Sequence, residues 1–319
     1  MPLPLIPLIL GGASLVAGAY GVKKGFDAKE NFDKAESIGN SAKNRHEKAL
    51  KELNIERERS NKKLSDLGEL KANVFADQIK YLIDQIKKRK AAKSSLKGFE
   101  QIIEKLDLPK MEKMVIGSLA IEKGLASGTV SGALMGLGAY GSVGMLATAS
   151  TGTAIASLSG VAASNATLAW LGGGALSAGG LGMAGGTAVL GGVVAGPAIA
   201  ITGFVIASKA EEALTKAREY ESQADEAIAK IDIMKIALQG LQTNTGEMER
   251  TIIKLANVFD KCKPEVECGW DEAFERMLVV GKALKEVLDT PILESDGSAV
   301  KNLKSKLNIV TSGLIEYEG

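Results

Sequence analysis

Residues 210–259 read AEEALTKAREYESQADEAIAKIDIMKIALQGLQTNTGEMERTIIKLANVF, and a seven-residue repeat runs through them without a slip. Ala210, Ala217, Ala224, Ile231, Leu238, Thr245, Ile252 and Phe259 hold one repeat position. Ala213, Tyr220, Ala227, Met234, Leu241, Met248 and Leu255 hold a second, three residues further on. Apolar residues at this spacing lie on one stripe of an α-helix, so the pattern predicts a long helix with a buried seam. At 1.5 Å per residue it would be about 75 Å long. Ile231, Leu238, Leu241, Ile252 and Leu255 are its expected seam residues. The Ala-rich first half would let a partner helix approach closely.

The partner is expected upstream. Residues 26–109 are dense in Lys, Glu, Ala and Leu, and Phe75, Ile79, Leu82 and Ile86 form a second helical stripe. Gly39, Gly68 and the pair Ser94 and Ser95 are expected breaks or bends. Leu106-Asp107-Leu108-Pro109 should end this segment, because a residue before proline is pushed out of the helical region.

Downstream, Pro264 is expected to stop the long helix. A further helix is predicted over residues 270–288, with Trp270, Ala273, Met277, Val280, Leu284 and Val287 on its packing face. Asp289-Thr290-Pro291 should break it. A last helix carries Val300, Leu303, Leu307, Val310, Leu314 and Tyr317. No segment alternates with the period of a strand. The expected fold is all-α: a long antiparallel helical bundle or coiled coil with a Gly/Ala-rich hydrophobic helical hairpin.

That hairpin is expected in the uncharged block between Lys123 and Lys209, whose 85 residues include 21 glycines. Each interior glycine costs an isolated helix about 1 kcal/mol relative to alanine. Glycine is retained where backbones meet, as between helices in lipid. Gly124, Gly128, Gly132 and Gly136 stand at strict four-residue intervals, a glycine zipper. Gly152, Ala156, Gly160 and Ser164 repeat the small-residue ladder, as do Ala188, Gly192, Gly196 and Ala200. The named glycines are the expected membrane or oligomer interface. Residues 164–167 could form the hairpin tip, with breaks around residues 136–144, 172–174 and 179–186.

Residues 1–22 are also uncharged and precede Lys23 and Lys24, with Pro2, Pro4 and Pro7 in the first third. A secretory signal carries its basic residues before the apolar core, the reverse order. Two expectations stand: a marginal membrane anchor, or an apolar arm buried against the rest of the protein. The chain thus divides into an arm (1–25), a charged helical segment (26–109), a zipper region (110–208), a coiled-coil helix (209–262) and a C-terminal helical hairpin (263–319).

Several function classes are disfavoured. A net charge of +1 gives no field to attract nucleic acid. Cys262, Cys268 and the lone His46 cannot supply the four ligands of a zinc site. The cysteines are expected to be a reduced structural pair, with a loop-closing disulfide as the alternative. Gly136, Gly138 and Gly141 match GxGxxG, as do Gly180, Gly182 and Gly185, but neither match is followed by the acidic residue that a dinucleotide site places on the ribose. His46 is expected to be exposed or part of a helix seam. No nucleophile–base–orienter set is present, so neither an enzyme nor a cofactor is expected.

A greasy hairpin between charged helices resembles the α-helical pore-forming toxins of the cytolysin-A and haemolysin-BL/Nhe kind, and also the apolipoprotein L family. The opening MPLPLIPLILGGASLVAGAYGVKKGFDAK and the run GGTAVLGGVVAGPAIAITGF at residues 185–204 are similar to a group of bacterial glycine-zipper membrane proteins. The resemblance implies a membrane-inserting protein of the pore-forming or permeabilising type. Without a secretory signal, it implies an intracellular bacterial effector, a toxin or an anti-phage defence protein. The alternative is a constitutive membrane-anchored coiled-coil scaffold that docks a partner. The expected partners are a lipid membrane, further copies of the chain and a protein bound through the coiled coil. The expected location is the bacterial inner membrane, or the cytoplasm with a switch to the membrane.

Overall fold

The computed structural model describes residues 19–91, 100–125, 131–141, 210–294, 299–312 and 314. Helix α1 spans Ala19–Val74, passes through one π-helical turn at Phe75–Ile79 and continues as α2, Lys80–Ala91. Then come α3 (Glu100–Lys105), α4 (Leu108–Leu125), α5 (Ser131–Tyr140), α6 (Ala210–Glu267), α7 (Asp271–Asp289) and α8 (Leu303–Thr311). Among the described residues the only β-type pairing is an isolated bridge between Leu293 and Ala299. The fold is an all-α bundle of long packed helices.

The heptads of α6 are buried where the repeat places them. Ile231, Leu238, Leu241, Ile252 and Leu255 are all within 2% of complete burial. Their partner is α1, whose Leu53, Ser60, Leu67 and Val74 recur at seven-residue steps on its own buried face. The chain divides into two compact units, Met1–Glu56 with Ala198–Ile236, and Arg57–Pro197 with Ala237–Gly319.

In the first unit the seam is built from small residues. Ala35, Ala213 and Ala217 are fully buried, with Phe32, Ile38 and Leu214 packed around them. Ala42 and Ala224 follow with Tyr220. Arg45 bridges Glu221 and Asp225, and Lys235 meets Glu52 at 2.7 Å. His46 is buried in this seam, and burial holds its pKa below the usual imidazole value.

In the second unit the core is larger: Phe75, Ile79, Leu82 and Ile86 are fully buried, as are Phe259, Phe274, Met277 and Leu284. Gln242 donates to Ser60 at 3.0 Å and Gln78 to Asp260 at 3.0 Å. Both bonds join residues 182 apart, and Arg45 and Asp225 in the first unit are 180 apart. A constant sequence difference means that α1 and α6 run parallel in each unit, not antiparallel as expected. A heptad stripe sets which face is buried but not direction. Parallel neighbours need a long return connection, and the length of chain between α2 and α6 allows one. Helix α7 does run antiparallel to α1 and α2, since Asp271 pairs with Arg89 while Thr290 meets Lys71.

Other expectations are corrected. Pro264 lies inside α6, which continues to Glu267; only one turn follows it, so one lost N–H bond is tolerated. The chain turns at Gly269, whose φ of +87° suits glycine. Trp270 precedes α7 and is 61% exposed instead of sitting on its packing face. Gly39 and Gly68 do not break α1. Leu106 and Asp107 do interrupt the helix, but Pro109 then opens α4, whose first turn is capped as Lys110 N–H donates to the Asp107 carboxylate at 3.3 Å. Val300 is buried just before α8, and Tyr317 lies outside the described residues. Cys262 is buried, Cys268 is exposed, and both are free thiols.

Candidate functional site

Within the described part of the uncharged block, α5 meets two of the charged helices, α1 and α7. Helix α5 has the sequence SGALMGLGAY and crosses α1 by backbone contact. A Cβ on Gly68 would lie 1.9 Å from the carbonyl oxygen of Leu134, and a Cβ on Gly138 would lie 2.1 Å from that of Leu64. No side chain fits at either position. Two glycines from distant parts of the chain therefore make the crossing possible, and Leu134, Leu137 and Ala139 are buried beside it.

The C-terminus of α5 docks against the C-terminus of α7. Gly141 ends α5 at φ +64°, and a Cβ there would be 2.7 Å from the carbonyl oxygens of both Leu288 and Asp289. The last carbonyls of a helix have no partner within it, and here three are satisfied in turn. The Leu137 carbonyl accepts from Gly141 N–H at 2.9 Å. The Ala139 carbonyl accepts from Ile292 N–H at 2.8 Å. The Gly138 carbonyl accepts from Lys71 Nζ at 3.5 Å.

Lys71 is fully buried. It projects from α1 one turn beyond Gly68, and its Nζ also donates to the Thr290 carbonyl at 3.3 Å, just past the end of α7. It thus lies between two helix C-termini, whose partial negative charge favours a cation. Both bonds are long, and a buried charge is otherwise costly. Burial pushes its pKa down from 10.5 to about 7, with nearby Asp289 opposing the shift. Asp289 is itself paired with Lys285 at 2.8 Å. The arrangement ties an apolar segment to two bundle helices through a group that gains free energy by returning to water.

Of the expected interface glycines, Gly124 lies in α4, while Gly132 and Gly136 lie in α5 and Gly136 is buried. Gly128, Gly152, Gly160, Gly192 and Gly196 fall outside the described residues, as do the proposed hairpin tip and the N-terminal arm up to residue 18. Among the described residues no helix is long and apolar enough to cross a membrane. The glycines of the first GxGxxG match include Gly138 and Gly141, and the structure gives both packing roles. Nothing in the local composition around Lys71 marks it as a site residue. Its signal was a lysine midway between Leu64 and Gln78 at seven-residue steps, all three of them buried.

Comparison with protein-family models, with curated proteins and with solved structures found no match to this chain.

Proposed function

We propose that the protein is a membrane-inserting helical protein of the permeabilising type, which stores part of its uncharged block against a charged bundle and delivers it to a bilayer. The observation that carries this is the docking of α5. It is an uncharged helix with no room for a side chain at its crossing, held by close backbone packing, the buried Leu134 and Leu137, the Ile292 hydrogen bond to Ala139 and one buried lysine. Its partners on this reading are lipid and further copies of the chain, which the small-residue ladders would bring together. The site of action is a bacterial inner membrane reached from the cytoplasm.

The test is dye release from liposomes by full-length protein made without detergent. A soluble chain that releases dye supports storage and delivery. Replacing both Gly128 and Gly132 by Leu should keep helix content and cut release sharply, because leucine holds backbones apart. Equal release by that variant would remove the zipper from the interface.

A second reading is a constitutive membrane-anchored coiled-coil scaffold. It draws support from the parallel pair of α1 and α6, 56 and 58 residues long, and from Ile233 and Ile236, each more than 65% exposed on α6. Recovery of the chain only in membranes, with no dye release, would favour it.

A further inference from the structure

We propose that Lys71 is the release element of the stored segment: its amine, buried between the ends of α5 and α7, keeps the docking of α5 marginal, and taking up a proton loosens it. This rests on the permeabilising reading and adds its trigger. The crossing at Gly68 and Gly138 leaves no free volume, so α5 is either seated or displaced. When it is displaced, the Gly138 carbonyl leaves Lys71, and the amine reaches water. A hydrated ammonium is the more stable form, so opening is favoured whenever the opened state holds a proton that the seated state resists.

The direction follows from the groups around it. The charged group that Lys71 feels is Asp289 at the end of α7, already engaged by Lys285. Helix α5 offers only the Gly138 carbonyl to the amine, and its sole titratable side chain is Tyr140. Lysine 71 titrates near 7 when buried and near 10.5 when free. Between these limits the opened state binds the proton and the seated state does not. Lowering pH through this window therefore weakens docking, by about tenfold in the opening equilibrium per pH unit. Below the window docking stays at its weakest. At neutral pH the segment is already close to that limit.

The experiment measures hydrogen exchange of the α5 amides in the full chain without lipid, corrected for intrinsic rates, over the same pH window. The wild-type protein should show protection rising about tenfold per unit as pH is raised. Lys71→Met keeps the length and removes the charge. It should show high protection independent of pH, and slower dye release than wild type at neutral pH. A flat wild-type profile, or the same slope in both proteins, overturns the proposal. The wild-type profile alone decides the matter should Lys71→Met fail to fold. Absence of dye release by wild type at every pH overturns the permeabilising reading instead, and leaves the exchange result to judge the latch.

Discussion

The two units draw on the same pair of helices, α1 and α6, and use them in opposite ways. In the first unit the seam is alanine: Ala35, Ala42, Ala213, Ala217 and Ala224 are buried, and each hides little apolar surface. Close approach and ion pairs such as Arg45 with Asp225 set the register there. In the second unit leucine, isoleucine and phenylalanine fill the seam, and α4, α5 and α7 add further layers. A heptad repeat therefore specifies a buried stripe in both, and the fully buried Lys71 lies in the second.

The contrast can be broken most forcefully at the α5 crossing. Gly68→Leu should unseat α5 and destabilise the second unit by the free energy with which α5 is docked, because the obstacle is the Leu134 backbone and no rotamer avoids it. Thermal unfolding followed by circular dichroism would show it, and an unchanged midpoint would refute the crossing. Leu238→Ala, at a fully buried seam position, should cost ~2–5 kcal/mol in a denaturant titration. A loss within error would mean that the stripe is solvated.

The pH response separates the units more finely. For Lys71 the folded pKa lies below the unfolded value, so its contribution to stability is greatest above 10.5 and is lost as pH falls toward 7. The slope is roughly 1.4 kcal/mol per unit at most. His46 in the first unit is also depressed by burial, so folding is penalised as pH falls below the imidazole's ordinary range. Its effect should be the smaller and should appear in the acid, where Lys71 no longer contributes a slope. Replacing His46 by Gln should reduce the slope just below the imidazole's ordinary range and spare the alkaline one, and the slope left further into the acid belongs to paired carboxylates such as Glu52.

Two surface changes should move least. Nothing lies within 4 Å of where a side chain on Gly240 would begin, so Gly240→Ala should stabilise α6 by ~0.5–1 kcal/mol. The opposite sign from Gly68→Leu is the sharpest test that two glycines in long helices serve different ends. Arg45→Ala should cost under ~1 kcal/mol, since its ion pairs are exposed.

Much of this was legible in the residues. The repeat in α6, the stripe from Phe75 to Ile86 and the apolar face of α7 all depend on spacing, and spacing survives folding because a helix preserves it. A large apolar residue next to a stripe reads as part of it, yet the turn at Gly269 leaves Trp270 outside the helix. Proline reads as a stop because it removes one donor, yet near a helix end that loss costs little, and α6 runs through Pro264. For the site, the glycines of the uncharged block were visible as interface candidates, but their counterpart Gly68 looked like a break in a charged helix.

By itself, then, the sequence determined the elements: the long helices, their buried stripes, and the separation of an uncharged block from charged helices. Local periodicity and charge are properties of the chain before it folds. Only the tertiary structure decided that α1 and α6 run parallel, that Gly68 receives the backbone of α5, and that Lys71 is closed off from water. Direction, crossing and burial depend on which surfaces meet. Residues 64–71 carry no trace of the α5 and α7 ends that surround Lys71, because those ends come from positions 67 and 219 residues further along the chain.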